Sequence, residues 1–274
     1  MKRNLLVISL FGIILFASLI AGVNVLVSEN SADGQEMVVA NQLFNTGNYA
    51  EAAQVYEQLL SQRMVNSSLH YNLGNAYYVQ GDLGRAILNY QRAARLDPRD
   101  PDIRANLALA RAQSANEVID GPSSPFQSLA NFTSSWLTLD ETALLSLGLW
   151  FLLAFMILTY RQLQPGRMRT LALNGTFLII IIFLFAGVSF GSRLYIEHTR
   201  PEAVIIADQV TINTSPGEEF TTDLSLVSGT EVELLDIQGS WAHLALPNNI
   251  IDGWIPLSTI ETVSLSDFEG TPTF

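Results

Sequence analysis

Cysteine is absent from the 274-residue chain, which excludes a disulfide framework, a thiol nucleophile, a thiolate zinc site and an iron–sulfur cluster. Charge is scarce too. Asp, Glu, Lys and Arg make up 15% of the residues against 49% hydrophobic ones, too apolar for a disordered chain and unusually apolar for a soluble one. Basic residues are missing altogether after Arg200, whereas residues 201–274 carry 12 Asp and Glu. Residues 1–200 balance at 14 against 14, so the whole net charge of −12 belongs to the C-terminal segment. Phosphate binding is driven by Lys and Arg, which argues against nucleic acid as a partner there. The three histidines, His70, His198 and His243, fall in different segments and form no pair at metal-ligand spacing. HExxH, GxSxG and a Gly-rich phosphate loop ending in Lys-Ser or Lys-Thr are missing as well. The expectation is a protein that is not an enzyme, with no catalytic, metal or cofactor-binding residues.

The apolar excess sits in three runs without a charged residue, 5–27, 142–160 and 171–192. At ~1.5 Å per residue, 19 helical residues extend ~28 Å, close to the ~30 Å hydrocarbon thickness, so each of the last two runs predicts a transmembrane helix. Arg161-Gln-Leu-Gln-Pro-Gly-Arg-Met-Arg169 between them holds three Arg and no acid, and short basic loops of this kind stay on the cytoplasmic side. Thr138 followed by Glu141 has capping-box spacing for the start of the first span, with Trp136 at the outer interface and Tyr160 at the inner one. The first run follows Met1-Lys2-Arg3 and reads as a signal peptide or an uncleaved anchor; its length and the want of a small-x-small cleavage site favour the anchor. Either way both soluble segments are expected outside the cytoplasmic membrane. Ion pathways and proton relays need buried charge, which these spans lack, so an anchor is expected rather than a transporter.

Between the first two runs the sequence repeats itself. A shift of 34 lays Asn45-Thr-Gly-Asn-Tyr-Ala-Glu-Ala-Ala53 over Val79-Gln-Gly-Asp-Leu-Gly-Arg-Ala-Ile87, with Ala40 on Gly74, Leu43 on Tyr77 and Tyr56 on Tyr90. Small residues at Gly74, Ala86 and Ala93 let paired helices approach while Leu73, Tyr77 and Tyr90 fill the gaps. Gly81-Asp82 supplies a turn and an N-cap, and Pro98 ends the second helix. This pattern resembles the tetratricopeptide repeat, with His70 at the family's usual Trp position, and Asp102-Ile-Arg-Ala-Asn-Leu-Ala-Leu-Ala-Arg111 resembles its capping helix. The resemblance implies a protein-binding groove lined by the first helix of each pair: Met37, Asn41, Phe44 and Asn45 from one unit, Tyr71, Asn75, Tyr78 and Val79 from the next. The competing role for its aromatics is packing against the neighbouring helix. The family's carboxylate-binding subset needs cations where Met37, Asp102 and Asn106 stand, so chaperone-tail binding is not expected.

Residues 117–141 form a linker in which Phe126, Leu129, Phe132 and Trp136 are spaced for an interfacial helix, an irregular stretch dipping into lipid being the alternative. After Pro201 the pattern alternates. Ala203–Ala207, Val210–Ile212, Thr230–Leu235, Trp241–Leu246 and Gly253–Ile255 predict five strands of a small barrel. Gly229, Gly239 with Trp241, and Gly253-Trp254 resemble the bacterial SH3-like domain over residues 200–264, with Asn213 where many members carry Arg. That resemblance implies a cell-wall peptide or glycan ligand on Trp241 and Trp254; the alternative places both in the barrel core. The acidic residues Glu218, Glu219, Asp223, Glu231 and Glu233 read as a solvated face, or as a surface that docks on a basic or metal-bearing partner.

The segments in order are an anchor or signal peptide (1–28), two tetratricopeptide units with a cap (33–116), the linker, a span (142–160), a loop (161–170), a span (171–192), the SH3-like domain (200–264) and a tail (265–274). The fold class is thus a multidomain membrane protein with an α-helical solenoid and a small all-β barrel. The order resembles the BatE-type tetratricopeptide proteins of the bacterial aerotolerance operon. That resemblance implies partners among membrane-bound von Willebrand factor A domain proteins and a cytoplasmic MoxR-type ATPase; peptidoglycan is the other partner, through the β-domain.

Overall fold

Five helices open the described part of the chain, which comprises residues 33–62, 65–114, 125–217, 221–246 and 251–264 of a computed structural model. They are α1 (Asp33–Asn45), α2 (Tyr49–Ser61), α3 (Ser67–Gln80), α4 (Leu83–Leu96) and α5 (Pro101–Gln113). The first apolar run, the stretch 115–124, Glu218, Glu219 and the tail 265–274 lie outside the described residues. Gly47 and Gly81, equivalent under the 34-residue shift, turn the two hairpins at φ of 86° and 83°, where a side chain would be strained. Asn66, Asp82 and Asp100 cap α3, α4 and α5 by accepting from backbone N–H groups of the first turn, at 2.7, 3.0 and 2.8 Å. At Gly74 an added Cβ would stand 2.8 Å from the Tyr90 ring, so α3 and α4 approach as they do because this residue has no side chain. Ala40, Ala52, Tyr56, Leu73, Ala86, Ile87 and Tyr90 form the core of this unit.

The next three helices are α6 (Pro125–Ser134), α7 (Leu139–Gln162) and α8 (Arg167–Thr199). The turn between α7 and α8 is four residues, shorter than the expected loop of 161–170, because Arg161 and Gln162 extend α7 while Arg167 and Arg169 start α8. The Thr138–Glu141 capping box starts α7 three residues before the apolar run. Both helices are long and apolar enough to cross a membrane, with mean hydropathy 2.1 and 2.5. Only 6% and 11% of their most apolar stretches are buried, unlike a core helix of a soluble fold, and Phe177, Leu178 and Ile181 are each about 60% exposed. α6 packs on α8, where Ser189 Oγ donates to Thr133 Oγ1 at 2.8 Å. Arg193 of α8 donates to Leu137 O, Thr138 O and Thr142 Oγ1 at 2.9, 3.2 and 3.0 Å, which ties the start of α7 to the end of its partner.

The chain continues through Arg200 and Pro201 into an antiparallel sheet of seven strands: β1 (Glu202–Ile205), β2 (Gln209–Asn213), β3 (Thr221–Val227), β4 (Glu231–Gln238), β5 (Trp241–Ala245), β6 (Asp252–Pro256) and β7 (Ile260–Thr262). Their spatial order is β3-β2-β6-β5-β4-β1-β7. Sequence alternation predicts five of these; β3 and β7 are additional, and they are the two outermost in that order, where the demand for alternating apolar residues is weakest. Ala203, Ile205, Ile212, Val232, Leu234, Ala242, Leu244 and Ile255 fill the sheet's own core.

The sheet packs on α4 and the end of α5. Val204 and Val263 join the repeat core beside Ile87 and Leu88. Gly84 N donates to Ser228 Oγ at 3.0 Å, and a Cβ on Gly84 would stand 2.6 Å from Ile205 O. Arginines of the repeat meet glutamates of the β-domain: Arg92 with Glu261 at 2.9 Å, Arg95 with Glu202 at 3.0 Å, and Arg111 with both Glu231 oxygens at 2.5 and 2.9 Å. Glu233 pairs with Arg200 at 3.2 Å. Of the acidic residues expected on a solvated or docking face, Glu231 and Glu233 are engaged within the chain, by Arg111 of the repeat and by Arg200 at the end of α8.

Candidate functional site

The residues of the expected groove are set on α1 and α3 by a hydrogen-bond motif that itself repeats. Tyr56 OH donates to Asn41 Oδ1 at 2.7 Å, and Asn72 Nδ2 donates to the same oxygen at 3.1 Å. Thirty-four residues on, Tyr90 OH donates to Asn75 Oδ1 at 2.7 Å and Asn106 Nδ2 joins it at 2.9 Å. Each asparagine oxygen thus accepts once from its own unit and once from the next helix pair, which fixes how units stack. Burial pushes the Tyr56 hydroxyl up to about 12 and the Tyr90 hydroxyl higher still, so both stay protonated as donors. Asn72 and Asn106 are also related by the 34-residue shift, and that offset was the signal in the sequence for their shared role.

The structure divides the eight groove residues between two duties. Asn41 and Asn75 are stacking clamps through their oxygens. Tyr71 accepts from Asn106 Nδ2 at 3.0 Å and Tyr78 from Gln113, so both are held by the cap helix α5. Met37 and Phe44 pack half-buried against the repeat core, Phe44 also meeting Tyr49 edge-on at 5.2 Å. Asn45 and Val79 are exposed. Asn41, Phe44, Asn45, Tyr56, Asn72 and Asn75 line a cavity of about 250 Å³, polar on most sides. Among the described residues, the sheet is met by α4 and the end of α5, and none of the eight lies on these elements.

A second face lies on the sheet. β5 and β6 pair Trp241 with Pro256 and His243 with Trp254, and these four side chains share the side opposite Ala242, Leu244 and Ile255, which are fully buried. The two tryptophans are therefore half-exposed and outside the core of the sheet, where the alternative reading had placed them inside. His243 stacks on Trp254 with ring centroids 4.7 Å apart and 13° between planes, and its Nε2 lies 3.2 Å from Asp252 Oδ2. Asn213 is 4% exposed, and its Nδ2 donates to Gly217 O at 2.7 Å, so it closes the end of β2 rather than presenting a ligand group.

The tetratricopeptide repeat family matches residues 40–101 and, overlapping, 71–117. No curated protein matches the chain. The match supports tetratricopeptide content in α1–α5, which suggests a protein-interaction module there.

Proposed function

We propose that this protein is a membrane-anchored interaction scaffold whose tetratricopeptide groove gathers partners at a bacterial envelope. The observation that carries this reading is that the groove residues lie on α1 and α3 while the sheet packs on α4 and the end of α5. Membrane anchoring is supported by the bare apolar surfaces of α7 and α8, and orientation by Arg161, Arg167 and Arg169 around the turn, which keep it in the cytoplasm. Repeats and β-domain then lie together on the outer side. The β-domain is read as an SH3-like barrel and the assembly as one of the BatE type. Its partners would include von Willebrand factor A domain membrane proteins, with the MoxR-type ATPase acting from the cytoplasm. The reading is non-catalytic.

The test must block the groove without breaking the asparagine clamps. Asn45→Arg combined with Val79→Glu changes exposed positions only. Pull-downs from detergent-solubilised membranes should lose partners with this variant; unchanged recovery of every partner would overturn the groove assignment.

The outward placement of Trp241 and Trp254 favours a second reading, a cell-wall ligand held by aromatic stacking. Co-sedimentation of the full chain with purified peptidoglycan separates the two. Wall binding lost in Trp241→Ala/Trp254→Ala supports this second reading, and absence of binding by the unaltered chain removes it.

A further inference from the structure

Where repeat, hairpin and sheet converge lies an open cavity of about 1090 Å³. α4 and α5 form one wall, α6 and the start of α7 another, and the end of α8 with β1 the third. Five arginines and three carboxylates line it, in a chain whose net charge is −12. Arg95, Arg111 and Arg200 pair with glutamates. Arg104 and Arg193 have no carboxylate within ion-pair distance among the described residues. Arg104 reaches only Asp100 O and Arg99 O, each at 3.4 Å, and Arg193 reaches carbonyls and a hydroxyl. Counted with Glu231 and Glu233, the carboxylates at the cavity equal the arginines in number, so what Arg104 and Arg193 offer an anion is N–H donors outside any ion pair, not surplus charge.

Position and lining indicate which anion these two guanidinium groups would take. Leu139 and Leu194, at the ends of the two apolar helices, belong to the lining, so the cavity stands at the level where the hairpin leaves the hydrocarbon. Trp136 and Tyr195 at the same level are 65% and 68% exposed, as side chains that sit among lipid headgroups are. Leu96, Leu107 and Ile196 add apolar wall beside the guanidinium groups. A guanidinium forks onto phosphate oxygens, and basic pockets beside membrane helices take acidic headgroups. We infer that this cavity holds the phosphodiester headgroup of an anionic phospholipid, bound through Arg104 and Arg193. The inference rests on the hairpin crossing the membrane.

The full chain, purified in a neutral detergent, is titrated with short-chain phosphatidylglycerol and phosphatidylcholine, bound lipid being counted by native mass spectrometry. One phosphatidylglycerol per chain is expected, bound at least tenfold more tightly than phosphatidylcholine. Arg104→Gln, which disturbs only long contacts, should weaken it about tenfold, and Arg104→Gln/Arg193→Gln should abolish it. Equal binding of the two lipids, or unchanged binding by the single variant, overturns the site. Millimolar inorganic phosphate should not displace the lipid; if it does, the site takes a free anion and the lipid assignment falls. Reconstitution into pure phosphatidylcholine vesicles separates this from the membrane reading. A chain that inserts there but shows no preference for phosphatidylglycerol loses only the cavity assignment, whereas one that does not insert overturns the span itself.

Discussion

His70 is the side chain whose chemistry responds most directly to its surroundings. Asn89 Nδ2 donates to Arg85 O at 2.9 Å, which leaves Asn89 Oδ1 as acceptor and puts the His70 proton on Nδ1, 3.0 Å away. Its Nε2 is buried and has no hydrogen-bond partner among the described residues. Burial lowers the pKa of this imidazole to about 4, against a smaller opposing effect of the Asn89 bond, with Arg92 lowering it further and Glu261 raising it. The unfolded chain takes up a proton near 6.5 and the folded one only near 4, so stability is full above pH ~6.5 and declines as pH falls toward 4. At ~1.36 kcal/mol per pH unit the loss is about 3 kcal/mol. Thermal melting of the full chain between pH 7 and 4 should show it, and His70→Leu should flatten that part of the profile relative to the unaltered chain. A residual slope of equal size in the variant would assign the effect to other titrating groups. Tyr56→Phe and Tyr90→Phe should each cost about 1 kcal/mol, as expected for removing one donor from an oxygen that keeps another, and similar melting shifts for the two would reflect their equivalence.

At the scale of elements, the seam between α4 and the sheet is the most demanding packing. Gly84→Ala should destabilise by about 1–3 kcal/mol, because Ile205 O and Ser228 Oγ cannot both move aside. The measurable sign is faster hydrogen exchange in β1 with α3 unchanged. Arg111 and Glu231 are partly exposed, so their coupling in a double-mutant cycle should be about 1 kcal/mol or less. Elements differ in how far the sequence announced them. α3, α4 and their caps were legible because Gly81, Asp82 and Pro98 punctuate an apolar pattern that recurs after 34 residues. α7 and α8 were legible as apolar runs, and Thr138 with Glu141 marked the start of α7, whereas Arg161–Gln162 and Arg193–Thr199 continue the two helices into polar sequence beyond the runs. β3 was hidden because Thr221-Thr-Asp-Leu-Ser-Leu-Val227 has little apolar alternation, and it pairs only with β2. In the groove, the residue types were readable, but not that Asn41 and Asn75 are engaged by partners 15 and 31 residues away.

For the whole molecule, nothing local in sequence links Arg111 to Glu231, and contacts of this kind turn separate modules into one body. Under the proposed topology, a reporter fused after Phe274 should be active only outside the cytoplasm, and one inserted in the turn between α7 and α8 only inside. Activity of the C-terminal fusion in the cytosol would reverse the hairpin and remove the groove from the envelope side. Replacing Arg161, Arg167 and Arg169 together by Glu should weaken that preference, since the bias is set by cations near the ends of spans.

α8 runs 33 residues, ~50 Å, before handing over to β1 through Arg200 and Pro201 alone. That junction has no slack, so the rotational phase of the rod is imposed on everything beyond it. One residue inserted near its outer end would swing the sheet by ~100° relative to the hairpin, against contacts that hold α4 in a single register. A rotation of α8 about its axis would thus pass directly to β1, because only Arg200 and Pro201 separate helix from strand.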